Sequence, residues 1–194
     1  MTADTASFAF IISLAAVVNG LGIVRWLTGA AEYLRRRQSL QVTHYWVFTL
    51  TASFQFFLHI LLWWSFWGIR GNASLNFVTY LYVLTGPLFL YLGTYLLSVD
   101  VNDDRIDLRD HYASVRPPYA TTFILLCIWS ILSGPVVFGF FPPNTILKLA
   151  FLVLGITLRV SISPKVHGVV AVLNWLTLAA FIGIYSLQLG GAIQ

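Results

Sequence analysis

Charge is scarce in this chain: Asp, Glu, Lys and Arg together make up 9% of its 194 residues. Soluble domains carry about 25%, so a domain wetted on all sides is excluded. Cysteine is nearly absent too. The single Cys127 rules out an intramolecular disulfide, and no Cys/His spacing suits a metal. Missing as well are an H-E-x-x-H helix, a Gly-rich phosphate loop, a G-x-S-x-G elbow and two histidines placed to hold a haem between helices. The sequence therefore offers no catalytic residue, no metal site and no cofactor. No lysine falls mid-run, since Lys148 and Lys165 both lie near the ends of apolar stretches. That removes a retinal-type Schiff base.

What is abundant is hydrocarbon, with 58% of residues hydrophobic. Six runs stand out: residues 7–29, 44–68, 74–98, 118–141, 146–162 and 166–189. Crossing a bilayer takes roughly 20 apolar residues, and only 146–162 sits at the short end. Backbone amides in lipid must pair internally, so such runs form helices. A lipid-facing barrel would alternate apolar and polar residues, whereas Phe8 to Val18 and Phe123 to Ile131 do not. The expectation is an all-α polytopic membrane protein, a single domain over residues 1–194 built as a bundle of six transmembrane helices.

Basic residues gather in cytoplasmic connections. Arg35, Arg36 and Arg37 follow the first run, Arg105, Arg109 and Arg116 follow the third, and Arg159 and Lys165 flank the fifth connection. Only Arg70 and Lys148 fall on the other side, so both termini are expected outside the cytoplasm. The net charge of +4 then reflects orientation rather than nucleic-acid binding. The start, Met1 to Ser7, lacks a basic n-region, and the first run reads as a retained anchor rather than a cleaved signal.

Helix one is expected to outrun the membrane, with Glu32 and Arg36 paired at i,i+4. Tyr45, Trp46, Trp63, Trp64 and Trp67 read as interfacial belts. Gly86-Pro87 and Gly134-Pro135 predict kinks, or hinges, because an interior proline frees a carbonyl. Thr85 and Ser133 stand beside these pairs and can serve the freed groups. Pro142-Pro143-Asn144 and Ser161 to Pro164 read as turns.

Three constellations carry what polarity there is. Thr51, Gln55 and His59 recur every four residues and share one helix face. With Asn19, Thr85, Ser133 and Asn174 at similar expected depth, they read either as interhelical hydrogen bonds or as a hydrated solute path. Arg25 either snorkels to the headgroups or faces a cytoplasmic vestibule and attracts an anion. No acidic residue falls within a span, which disfavours carboxylate-based proton coupling and midplane divalent cations. The third connection opens like a calcium loop with Asp100, Asn102 and Asp104, but Arg105 and His111 stand where glycine and a bidentate glutamate belong. It reads instead as a solvated loop or short interfacial helix in which Asp107, Arg109, Asp110 and His111 meet a cytoplasmic protein partner. A lipid-modifying site assembled from His44, Asp110, His111 and His167 is a further possibility.

The segments Gly20-Leu21-Gly22-Ile23-Val24-Arg25-Trp26-Leu27-Thr28-Gly29 with Arg35-Arg36-Arg37, Phe57-Leu58-His59-Ile60-Leu61-Leu62-Trp63-Trp64 and Asp107-Leu108-Arg109-Asp110-His111-Tyr112 resemble a group of small uncharacterised bacterial inner-membrane proteins. The resemblance implies a multi-pass protein of the bacterial inner membrane and no activity. From the residues, the leading expectation is a channel or facilitator for a small ion or solute. It would be lipid-embedded and homo-oligomeric, with Gly20, Gly22 and Gly29 allowing close helix contact. The alternatives are a non-transporting accessory or sensor protein using residues 99–117, and a lipid-modifying enzyme.

Overall fold

The computed structural model describes residues 3–36, 41–68, 77–99 and 105–187. The outer turn at 71–74, the loop residues Asp100, Asn102 and Asp104, and Arg37 lie outside these. Six helices follow in order: α1 (Ala3–Arg36), α2 (Trp46–Gly68), α3 (Phe77–Leu97), α4 (Leu108–Ser133), α5 (Thr145–Val160) and α6 (Pro164–Phe181). π-helical turns at Gly134–Phe138 and Ile182–Ser186 extend α4 and α6. Five of the six helices are long and apolar enough to cross a membrane. The exception is α5, whose 16 residues reach only about 24 Å at ~1.5 Å per residue, against a hydrocarbon core of about 30 Å.

Although short, α5 lies antiparallel along α4. Lys148 Nζ donates to the Ser130 carbonyl at 2.9 Å, Gly155 packs on Phe123 and Ile124, and Arg159 Nε donates to Thr121 Oγ1 at 3.2 Å. At the α5 C-terminus Arg116 donates to the carbonyls of Leu158 and Ser161 and to His167 Nε2. A cation there satisfies orphan carbonyls and meets the negative end of the helix dipole. One arginine thus ties α4, α5 and the start of α6 together. Ile146, Leu149, Val153, Ile156 and Val160 of α5 remain exposed at helical spacing, an apolar stripe along one face.

Two features differ from expectation. Residues 41–43 (β1) and 105–107 (β2) form a small parallel ladder, pairing Gln41 with Arg105, Val42 with Ile106 and Thr43 with Asp107. Helix α4 begins at Leu108 rather than 118, so Arg109, Asp110 and His111 form its first turn and not a loop or a separate interfacial helix. Asp107 is the reason: its carboxylate accepts from the Arg109 and Asp110 amides at 2.8 and 3.2 Å, an N-cap. Pro117 and Pro118 then sit inside the helix. The carbonyls they leave unpaired belong to Ala113 and Ser114, both exposed, where water or headgroups can serve them. Glu32 forms an ion pair with Arg35 at 2.7 Å.

The proline pairs behave differently from each other. Pro87 lies within an uninterrupted α3, whereas Pro135 opens the π turn that ends at Gly139, φ 78°. Thr85 Oγ1 donates to the Tyr82 carbonyl and Ser133 Oγ to the Ser130 carbonyl, each at 2.7 Å. Around Pro87 the helices α3 and α4 clasp each other. Trp129 Nε1 donates to the Tyr82 carbonyl at 2.8 Å, the Tyr82 hydroxyl donates back to the Trp129 carbonyl, and the two rings stack.

Candidate functional site

The polar face of α2 closes on its neighbours. Asn19 of α1 donates through Nδ2 to the His59 carbonyl at 3.1 Å, which turns Asn19 Oδ1 toward His59 Nδ1 at 2.7 Å. An amide oxygen only accepts, so His59 carries its proton on Nδ1 and presents a bare Nε2. Thr94 Oγ1 of α3 lies 2.8 Å from that nitrogen and donates to it. Gln55 Nε2 donates to the Leu90 carbonyl at 2.9 Å and, at 3.4 Å, to Thr94 Oγ1. Its amide oxygen accepts from the Tyr119 hydroxyl of α4 at 3.3 Å. The result is a directed chain from Tyr119 through Gln55, Thr94 and His59 to Asn19, joining four helices.

The chain is dry in this conformation. Asn19, Gln55, His59 and Thr94 are each 2% exposed or less. Two glycines make such close approach possible. A Cβ on Gly22 would stand 2.2 Å from His59 Cε1, and one on Gly93 would stand 2.9 Å from Gln55 Nε2. Of the other expected path residues, Thr51 bonds the Val47 carbonyl of its own helix at 2.8 Å. Thr85 and Ser133 are occupied at the proline pairs. Asn174 is buried, and its Oδ1 has no partner among the described residues.

Below this chain lies open space. Helix α3 stops at Leu97, level with Ala52 and Ser53 of α2, because Ser98 meets Arg25 while Trp26 Nε1 bonds the Ala52 carbonyl at 2.8 Å. Helix α1 reaches about three turns further, to Arg36, and α2 about two, to Trp46. The shortfall of α3, floored by the ladder at Val42 and Ile106, leaves a cavity of about 350 Å³. Gly29, Ala30, Phe48, Leu97 and Leu108 give it apolar walls. Its polar groups are Arg25, Ser53, Thr94 and Ser98 at the inner end, Thr49 one turn along α2 from Ser53, and Tyr33 and His44 toward the ladder.

Arg25 stands at the inner end. Its Nε donates to Ser98 Oγ at 3.1 Å and its guanidinium lies 5.5 Å from the centre of the Tyr95 ring. Its remaining N–H groups find no acceptor among the described residues. Arg25 is itself exposed as well as lining the cavity.

The histidines do not assemble. His44 lies 3.4 Å from the Tyr33 hydroxyl, His111 packs edge-on against Phe48, and His167 meets Arg116 and the Tyr112 ring. Among the described residues no three His, Cys, Asp or Glu side chains gather closely enough to hold a metal ion. Sequence reasoning missed Thr94, Tyr119 and Ser98, which no motif marks. Compared with known protein families, with curated proteins and with solved structures, the chain matches none.

Proposed function

We propose that this chain is a membrane facilitator for a small anionic solute, with the Arg25 cavity as its cytoplasmic mouth and the hydrogen-bonded chain above it as the closed barrier. One observation carries the reading: Thr94 both lines the cavity and donates to His59. A solute moving beyond the cavity meets amides, hydroxyls and a neutral imidazole, which can replace its hydration by exchanging partners. Arg25 at the entrance and the lack of any acid in the spans favour an anion.

On this reading the protein crosses the bacterial inner membrane six times, both termini face away from the cytoplasm, and α5 is the short pass. Its antiparallel packing along α4, and the bond from the Tyr185 hydroxyl at the far end of α6 back to the Pro143 carbonyl at 3.4 Å, support a sixth crossing. Gly20, where an added Cβ meets nothing within 4 Å, leaves room on α1 for a second copy.

A second reading draws on the pairing itself. A buried network that links four helices suits a bundle that holds still, and so a non-transporting sensor or accessory protein, with exposed Arg109 and Asp110 free to meet a cytoplasmic partner. Flux in liposomes separates the two. The facilitator reading expects anion uptake that Arg25→Gln lowers about tenfold, the worth of one lost charged hydrogen bond. Absence of uptake for inorganic and organic anions alike would favour the static reading.

A further inference from the structure

The walls of the cavity say more about its ligand than Arg25 does alone. A bare inorganic anion at Arg25 would exchange its hydration shell for one guanidinium, a few hydroxyls and a surround of Gly29, Ala30, Phe48, Leu97 and Leu108. Burying a charge among apolar groups is strongly unfavourable unless it is paired and hydrogen-bonded. An anion with a hydrocarbon body has no such difficulty. Its charged group would take the free N–H donors of Arg25 beside Ser98 and Ser53, while its body covers the apolar walls toward Tyr33 and His44.

Size narrows the class further. From Arg25 to Tyr33 along α1 is about 12 Å at ~1.5 Å per residue. At about 30 Å³ for a water-sized group, a cavity near 350 Å³ holds roughly ten such groups. That accommodates one medium-length chain or an aromatic acid. Orientation follows as well, because the guanidinium stands at the inner end, under Thr94. The anionic group leads and the apolar body trails toward the cytoplasmic side.

We infer that the Arg25 cavity binds an amphiphilic organic anion, one carboxylate or phosphate joined to an apolar body of about ten heavy atoms. The inference rests on the reading of this cavity as the functional site, and it names the ligand class.

The test titrates the purified full chain, in nanodiscs of zwitterionic lipid, with decanoate, using decanol and inorganic phosphate as comparison probes. Decanoate is expected to bind saturably, and neither comparison probe to displace it at equal concentration. Arg25→Gln should weaken binding about tenfold or more. Gly29→Leu, which keeps Arg25 and adds a side chain where a Cβ meets nothing within 4 Å, should weaken it by filling the space. Equal decanoate uptake by the parent and both variants would overturn the inference, since that is partition into the bilayer. Displacement by inorganic phosphate would overturn it in favour of a simple ion site. Loss of decanoate binding in nanodiscs of anionic lipid would assign the site to lipid phosphate and overturn the free-acid assignment. Binding is read here without transport. Failure of this test leaves the facilitator reading standing if Arg25-dependent flux of inorganic anions persists, and absence of flux leaves the binding result intact.

Discussion

At the scale of single residues, the arrangement turns on contacts too close for any side chain but hydrogen. Gly22 faces the His59 ring, so Gly22→Ala must push the imidazole off Asn19 or Thr94. Gly20, two residues away, faces open space. We expect Gly22→Ala to lower stability by about 1–3 kcal/mol, the range for overpacking. Gly20→Ala should be neutral or mildly stabilising, because alanine is the better helix former. Thermal unfolding in detergent measures both, and equal effects from the two substitutions would contradict the close approach.

This scale was only partly legible beforehand. The four-residue spacing of Thr51, Gln55 and His59 placed them on one face, and Asn19 and Gln55 do join His59. Thr94 escaped notice because depth was counted from helix ends. It sits near the inner end of α3, whereas His59 lies well along α2. The two meet because α3 stops short of its neighbours, an offset that no local pattern encodes.

Among the helices, the proline pairs show how sequence punctuation is overridden. Gly86-Pro87 and Gly134-Pro135 were both read as kinks, but α3 runs on through Pro87. Thr85 and Ser133 bond the Tyr82 and Ser130 carbonyls rather than those of Val83 and Ile131, which lie four residues before the prolines. The reciprocal clasp of Tyr82 and Trp129 was not readable, since it joins residues on separate helices. Pro117-Pro118 was read as the boundary of α4, but the Asp107 cap starts the helix earlier and the exposed second turn tolerates two missing amides. A Cβ on Gly86 would lie 2.4 Å from Trp129 Cη2. Gly86→Ala should therefore destabilise by about 1–3 kcal/mol, and much less in a Trp129→Leu background. A double-mutant cycle reads the coupling directly, and additive effects would argue against the clasp.

For the molecule as a whole, composition sufficed for the class: an all-helical chain with five helices able to cross a membrane. What it left open was the role of α5. Lys148 and Arg159 stand near its two ends and reach carbonyl and hydroxyl oxygens of α4, so a helix too short for the hydrocarbon by itself is held along a longer partner. Six crossings put both chain ends on one side. Single cysteines at Thr2 and Ile193 should then react alike with an impermeant maleimide, with buried Cys127 silent. Labelling from opposite sides would mean five crossings.

The central claim is that the polar stripe is closed and dry while the wet space lies below it, at Arg25. Water-edited solid-state NMR of the chain in bilayers tests this in one experiment. Polarisation from water should reach the Arg25 guanidinium and leave the His59 imidazole dark, with His59 protonated on Nδ1 alone. Water transfer to His59 as strong as to Arg25 would contradict the account.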